Sequence, residues 1–260
     1  MPHLLHVWSN ASQKLLRASQ VLLLFDYDGT LTPLMPHPDD ANLSVQVRDR
    51  QARLASGEKF ITGVISGRSL ADLEAKVDIP GMIYGGNHGL EIRGPGLDFV
   101  HQEAMEQTGV QLQVTGELQE ALAEIPGVIV EPKGLTLSVH YRSTPSDQVK
   151  PVEDIFARVV APFVESGAAR ITFGKKVLEV RPNLPWDKGK AITLLQETYP
   201  LASPTWFFGD DRTDEDGFGV VQESGGVAVF VGPARQPTAA LHRVDSPAEV
   251  AQVLDLLSEI

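Results

Sequence analysis

Leu22–Phe25 is an unbroken apolar run that passes directly into Asp26-Tyr27-Asp28-Gly29-Thr30. A short, continuous apolar run bounded by turn residues suits a strand buried on both faces, as in a parallel sheet. Two carboxylates at the end of such a strand repel each other and lose hydration, which is costly unless a cation compensates. The pattern therefore points to an open parallel sheet, because the carboxyl edge of such a sheet is where ligands bind. It also points to a hard divalent ion with oxygen ligands, such as Mg²⁺. Residues i and i+2 of an extended strand face the same way, and Gly29 permits a sharp turn just beyond. One carboxylate can then face a substrate as nucleophile while the other manages a proton.

The rest of the chain repeats this style at both ends and changes texture in the middle. Residues 59–69 (KFITGVISGRS) and 81–94 (GMIYGGNHGLEIRG) read as further strands with turn-rich ends. Helices are expected over 10–19, 42–56 and SLADLEAKV, the last capped by Ser69. Residues 103–125 read as a polar helix interrupted at Gly109 and Gly116. GVIVEPKG and LTLSVHYR alternate as half-exposed antiparallel strands do, 148–166 is helical, and 169–182 resembles a hairpin around Gly174-Lys175. KGKAITLLQETY, TWFFGDD, GGVAVFVG and the C-terminal SPAEVAQVLDLLSEI then restore the first pattern, with Trp186 and Trp206 as packing residues. The expected architecture is α/β: a Rossmann-like parallel-sheet core formed by 1–100 and 185–260, with an inserted α/β domain over 101–184.

The 260 residues suffice for one large domain or two modest ones. The net charge of −12 argues against a nucleic-acid surface, which needs a basic stripe. The absence of cysteine excludes disulfides, thiolate metal sites and a thiol nucleophile. No apolar run reaches the ~18 residues of a membrane helix, and the N-terminal segment lacks a signal pattern, so a soluble cytoplasmic protein is expected, with no membrane partner. A monomer is expected.

A second acidic cluster, GDDRTDED, follows TWFF and supplies Asp210, Asp211, Asp214, Glu215 and Asp216. Standing alone it would be a solvated loop. Together with Asp26 and Asp28 it reads as two strand ends delivering carboxylates to one sheet edge. Ser66 in SGR and Lys188 in DKG offer a hydroxyl and an ammonium that would neutralise a transferring phosphoryl group.

DYDGT, SGR, DKG and GDDRTDED, in that order, resemble the four motifs of the haloacid dehalogenase (HAD) superfamily of phosphatases. GNHGLEIRG (86–94), EPKGLTLSVHYR (131–142), KKVLEVRPNLPWDKGKAI (175–192) and FFGDDRTDEDGF (207–218) resemble the trehalose-6-phosphate phosphatase family within it. The resemblance implies that the inserted block is the family's cap domain. It implies Asp26 as the nucleophile that becomes an aspartyl phosphate, Asp28 as general acid and base, and Ser66 and Lys188 as holders of phosphoryl oxygens. Mg²⁺ would be bound by Asp26, the Asp28 carbonyl and Asp210, with Asp214 supporting it directly or through water. Lys133, His140, Arg142 and Glu179 would grip sugar hydroxyls from the cap, and Arg68, Asn87 and His88 would line the core side of the site. A sugar phosphate is the implied ligand, with a functional link to a trehalose-6-phosphate synthase. Alternatives are another substrate, such as sucrose 6-phosphate or a glycosyl phosphoglycerate, a phosphomutase, or a non-catalytic sugar-phosphate-sensing module. A sensing module would typically have lost an aspartate of the first motif, and both are present.

Overall fold

The computed structural model describes all 260 residues. Short helices α1 (Trp8–Ala11) and α2 (Gln13–Arg17) lead into β1 (Gln20–Phe25), then α3 (Val45–Ser56), β2 (Phe60–Ile65), α4 (Leu70–Val77) and β3 (Ile83–Gly86). Strands β4 (Glu91–Gly94) and β5 (Leu97–Val100) follow, and after them α5 (Gln102–Glu106), α6 (Thr108–Leu122), β6 (Ile129–Pro132), β7 (Leu137–His140), α7 (Val149–Glu165), β8 (Ala169–Gly174) and β9 (Val177–Pro182). The chain closes with α8 (Lys188–Thr198), β10 (Ala202–Gly209), α9 (Glu215–Glu223), β11 (Val227–Val231), β12 (His242–Val244) and α10 (Pro247–Leu257). It divides into two compact units. One comprises Met1–Met35, Ala41–Phe99 and Trp186–Ile260; the other comprises Val100–Pro185 together with the short segment Pro36–Asp40. No helix is long and apolar enough to cross a membrane.

The first unit is built on an eight-stranded sheet in the order β12-β11-β10-β1-β2-β3-β4-β5. The ladders from β12 through to β3 are parallel, and β4 returns antiparallel to β3. The central strand β1 explains its own unbroken apolar run. Val21, Leu23 and Phe25 enter the core packed by α3, α4 and α10, and Leu22 and Leu24 enter the opposite core with α8 and α9. All five are fully buried, as is Trp206 on β10. Truncating one such leucine to alanine costs about 2–5 kcal/mol.

From β1 the chain steps outward to β2 and β3 on one side, and the later β10, β11 and β12 lie on the other. The topological switch point therefore falls between β1 and β10, where the loops at the strand carboxyl ends diverge and leave room for a ligand. The expected third strand over 81–94 is two strands. Asn87 (φ 49°) and His88 (φ 58°) are consecutive left-handed residues that reverse the chain into β4.

The second unit has an antiparallel sheet in the order β6-β7-β9-β8. Leu137, Val139, Leu178 and Val180 from its apolar face pack with Val114, Leu118 and Leu122 of α6 and Val152, Phe156 and Val160 of α7. The expected breaks at Gly109 and Gly116 do not occur; α6 runs through both, and the interruption falls at Gln107. Each glycine costs about 1 kcal/mol of helix propensity, and burial of the apolar stripe outweighs it.

Candidate active site

Asp26 and Asp210 each follow the last residue of a central strand, β1 and β10. Those strands are adjacent and in parallel register, Phe25 beside Phe208, and the Asp26 amide donates to the Phe208 carbonyl at 2.8 Å. The ladder thus brings together two aspartates 184 positions apart. Asp214 completes the group: carboxylate oxygens of Asp26, Asp210 and Asp214 all lie within 4.8 Å of one another, and all three residues are buried.

Lys188 lies inside this cluster. Its Nζ donates to Asp26 Oδ1 and to Asp214 Oδ1, both at 2.6 Å. It stands at the start of α8 because Asp187 caps that helix, its Oδ1 accepting from the Lys190 amide at 2.8 Å. Burial disfavours the Lys188 charge, but Asp214 and Asp26 outweigh that effect and hold the ammonium above its ordinary pKa. For Asp26 the balance runs the other way. Burial first, and then the neighbouring Asp214 and Asp210 charges, push its pKa well above the usual range against the pull of Lys188.

Three carboxylates and one ammonium leave two negative charges uncompensated, which one divalent cation would balance. The all-oxygen donor set suits Mg²⁺. Two glycines keep the carboxylates this close. Gly29 has φ +92°, and a Cβ there would fall on the Asp210 carboxylate; a Cβ on Gly209 would fall on that of Asp214. Asp214 Oδ2 accepts from the Asp210 and Asp211 amides at 3.0 Å each, so this residue also shapes the loop after β10.

Ser66 follows β2 at the same sheet edge and is buried; its Oγ accepts from the Arg68 amide at 3.2 Å. The Asp28 carboxylate is engaged by Arg68, with Nε to Oδ2 at 2.7 Å and Nη2 to Oδ1 at 2.8 Å. Asn87 is fully buried and donates through Nδ2 to Glu91 Oε1 at 2.7 Å. The His88 amide donates to the Ser66 carbonyl at 2.8 Å, which ties the 87–89 turn to the SGR loop.

In the second unit, Lys133, His140 and Glu179 share the polar face of the sheet, where they form a connected network. Lys133 Nζ donates to Ser138 Oγ at 2.7 Å and lies 3.9 Å from Glu179 Oε1. His140 Nε2 is 2.6 Å from Glu131 Oε2, which is also 3.8 Å from Lys133 Nζ, and Thr172 Oγ1 donates to Glu179 Oε2 at 2.9 Å. Glu131 is the residue that sequence reasoning missed. Its position on the extended segment two before Lys133, where residues i and i+2 face the same way, was the available signal. Arg142 lies beyond β7, and its Nη2 donates to the Lys175 carbonyl in the β8–β9 turn at 2.7 Å.

Comparison with known proteins gives a consistent result. The family model described as trehalose-phosphatase matches residues 24–248. A trehalose-phosphate phosphatase of Mycobacterium tuberculosis is 36% identical over 249 residues, covering 93% of this chain. The chain spans 62% of that relative's length. The solved C-terminal domain of the Candida albicans trehalose-6-phosphate phosphatase matches with a TM-score of 0.85 at 26% identity, over 100% of this chain and 98% of the other. A haloacid dehalogenase-like hydrolase of Bacteroides thetaiotaomicron shares the fold, with a TM-score of 0.60 at 16% identity over 92% of this chain and 99% of the other.

Proposed function

Because the chain belongs to the trehalose-phosphatase family, we propose that it is a Mg²⁺-dependent phosphatase that hydrolyses trehalose 6-phosphate to trehalose and inorganic phosphate. The observation that carries this reading is the buried convergence of Asp26, Asp210 and Asp214 at the switch point of the sheet, with Lys188 donating to Asp26 and Asp214. A bound Mg²⁺, held by Asp26, Asp210 and the Asp28 carbonyl, would supply positive charge against the phosphoryl oxygens. Both Asp214 oxygens already accept hydrogen bonds, which favours its supporting the ion through water.

An Asp26 carboxylate oxygen attacks phosphorus. The phosphorus–oxygen bond to the sugar breaks, its electron pair stays on the sugar oxygen, and that oxygen takes a proton from Asp28. Water then attacks the same phosphorus and gives its proton to Asp28; the bond to Asp26 breaks, releasing phosphate and restoring the carboxylate. Lys188 and Ser66 hold phosphoryl oxygens through both displacements. Selectivity is assigned to Lys133, His140, Arg142, Glu179 and Glu131, because hydrogen-bonding groups shielded from water by a bound sugar penalise one that leaves them unpaired. Asn87 and His88 are assigned to the same recognition. The reaction would consume the product of a trehalose-6-phosphate synthase.

The test is phosphate release from a panel of sugar phosphates, with and without Mg²⁺. Trehalose 6-phosphate should be preferred, activity should require the ion, and Asp26→Asn should lose at least ~10³-fold in kcat. A flat panel overturns the substrate assignment, and an active Asp26→Asn overturns the nucleophile.

A further inference from the structure

Arg68 is only 5% exposed, and its contacts do not have the form of a surface group waiting for a sugar. Two of its nitrogens fork onto both Asp28 oxygens at 2.7 and 2.8 Å. Nη1 donates to Asp72 Oδ2 at 2.7 Å on the other side, and the guanidinium carbon lies 5.2 Å from the centre of the Tyr27 ring. The backbone is held as well: the Arg68 amide donates to Ser66 Oγ, and its carbonyl accepts from the Asn87 amide at 2.7 Å. Asp72 is positioned by the fold, since Ser69 caps α4 and its Oγ accepts from the Asp72 amide at 3.2 Å. Arg68 and Asp72 thus stand four residues apart across a helix start, and the pair reaches from α4 to the Asp28 carboxyl.

Resting on the phosphatase reading above, we propose that Arg68, braced by Asp72, is a positioning residue that aligns Asp28 for proton delivery to the leaving oxygen. A carboxylate offers about four lone-pair sites, and the fork takes two. Asp28 therefore keeps the capacity to carry a proton on its remaining lone pairs, and its side chain as a whole is 33% exposed. A planar guanidinium fixes the carboxyl plane in a way that a single ammonium does not. Unbraced, a half-exposed aspartate samples several rotamers, and proton transfer is steep in orientation.

The experiment uses aryl phosphates that carry no sugar, from 4-nitrophenyl phosphate, whose leaving group needs little protonation, to phenyl phosphate, whose leaving group needs much. It compares kcat/KM, which reports the first displacement. Arg68→Gln should lose about 10-fold more on phenyl than on 4-nitrophenyl phosphate, relative to the native protein, as expected of impaired general-acid catalysis. Arg68→Lys should recover only part of that difference, and Asp72→Asn should shift it the same way by about 2–3-fold. Asp72→Asn carries the test alone if Arg68→Gln does not accumulate as folded protein. Equal loss across the series would make the role merely structural, and no loss on either aryl phosphate would mean that Arg68 does not serve the proton transfer; either overturns the proposal. If the native protein hydrolyses no phosphate monoester with Mg²⁺ present, the phosphatase reading itself falls.

Discussion

Asp26 sits where desolvation and two neighbouring carboxylates oppose its ionisation, so the residue assigned as nucleophile is also a source of instability. A carboxyl group whose pKa is raised by folding penalises the folded state once pH exceeds its unfolded pKa, and the penalty disappears at lower pH. Without metal, Asp26→Asn should therefore melt at a higher temperature than the native protein near neutral pH. The gap should close as pH falls toward about 4. Thermal unfolding in chelator across that range checks the sign; a lower melting temperature for the variant at neutral pH would mean that the Lys188 contact outweighs burial. Asp26, Ser66, Lys188 and Asp210 are legible in the sequence because each directly follows a strand or starts a helix beside a recognisable turn, and Asp28 because it stands two residues beyond Asp26 in front of Gly29. Glu131 was not, because one glutamate in an alternating strand looks like any solvated position until its neighbours across the sheet are known.

Elements carry their own tests. Gly116 lies within α6, and a Cβ there would meet nothing within 4 Å. Gly116→Ala should stabilise the protein by about 1 kcal/mol in urea unfolding, since it removes glycine's backbone entropy without a clash. No gain would show that the helix is already ordered in the denatured chain. On the edge strand β12, burial lowers the His242 pKa below the ordinary 6.5. A group held neutral by the fold contributes stability that is present above its unfolded pKa and lost as pH falls through its folded one. His242→Gln should therefore flatten the acid limb of the stability profile, and an unchanged limb would place its origin elsewhere. The strand β12 and the split of 81–94 into β3 and β4 escaped the pattern reading. A three-residue strand carries almost no period, and the reversal rests on left-handed Asn87 and His88, residue types that adopt that geometry only in some contexts.

For the whole molecule, the cluster at the switch point links metal binding to folding. An ion that binds only the folded state stabilises by about 2.7 kcal/mol at 100 times its Kd. Mg²⁺ should raise the melting temperature of the native protein, and Asp210→Asn should abolish most of that shift. An equal shift in the variant would place the ion elsewhere, for instance on the diffuse negative surface expected of a net charge of −12.

Local chemistry along the chain determined that β1 is buried on both faces, that acids stand at two strand ends, and that an α+β segment interrupts the parallel sheet. These follow from residue type and spacing within about ten positions, where apolar period, turn chemistry and helix caps act. Only the tertiary structure decided that β10 lies beside β1, so that Asp210 and Asp214 reach Asp26 and Lys188. It alone decided that Asp28 is gripped by Arg68 and that Glu131 joins His140 to Lys133. Those contacts depend on strand order and on which face meets which, and packing sets both over the whole chain at once.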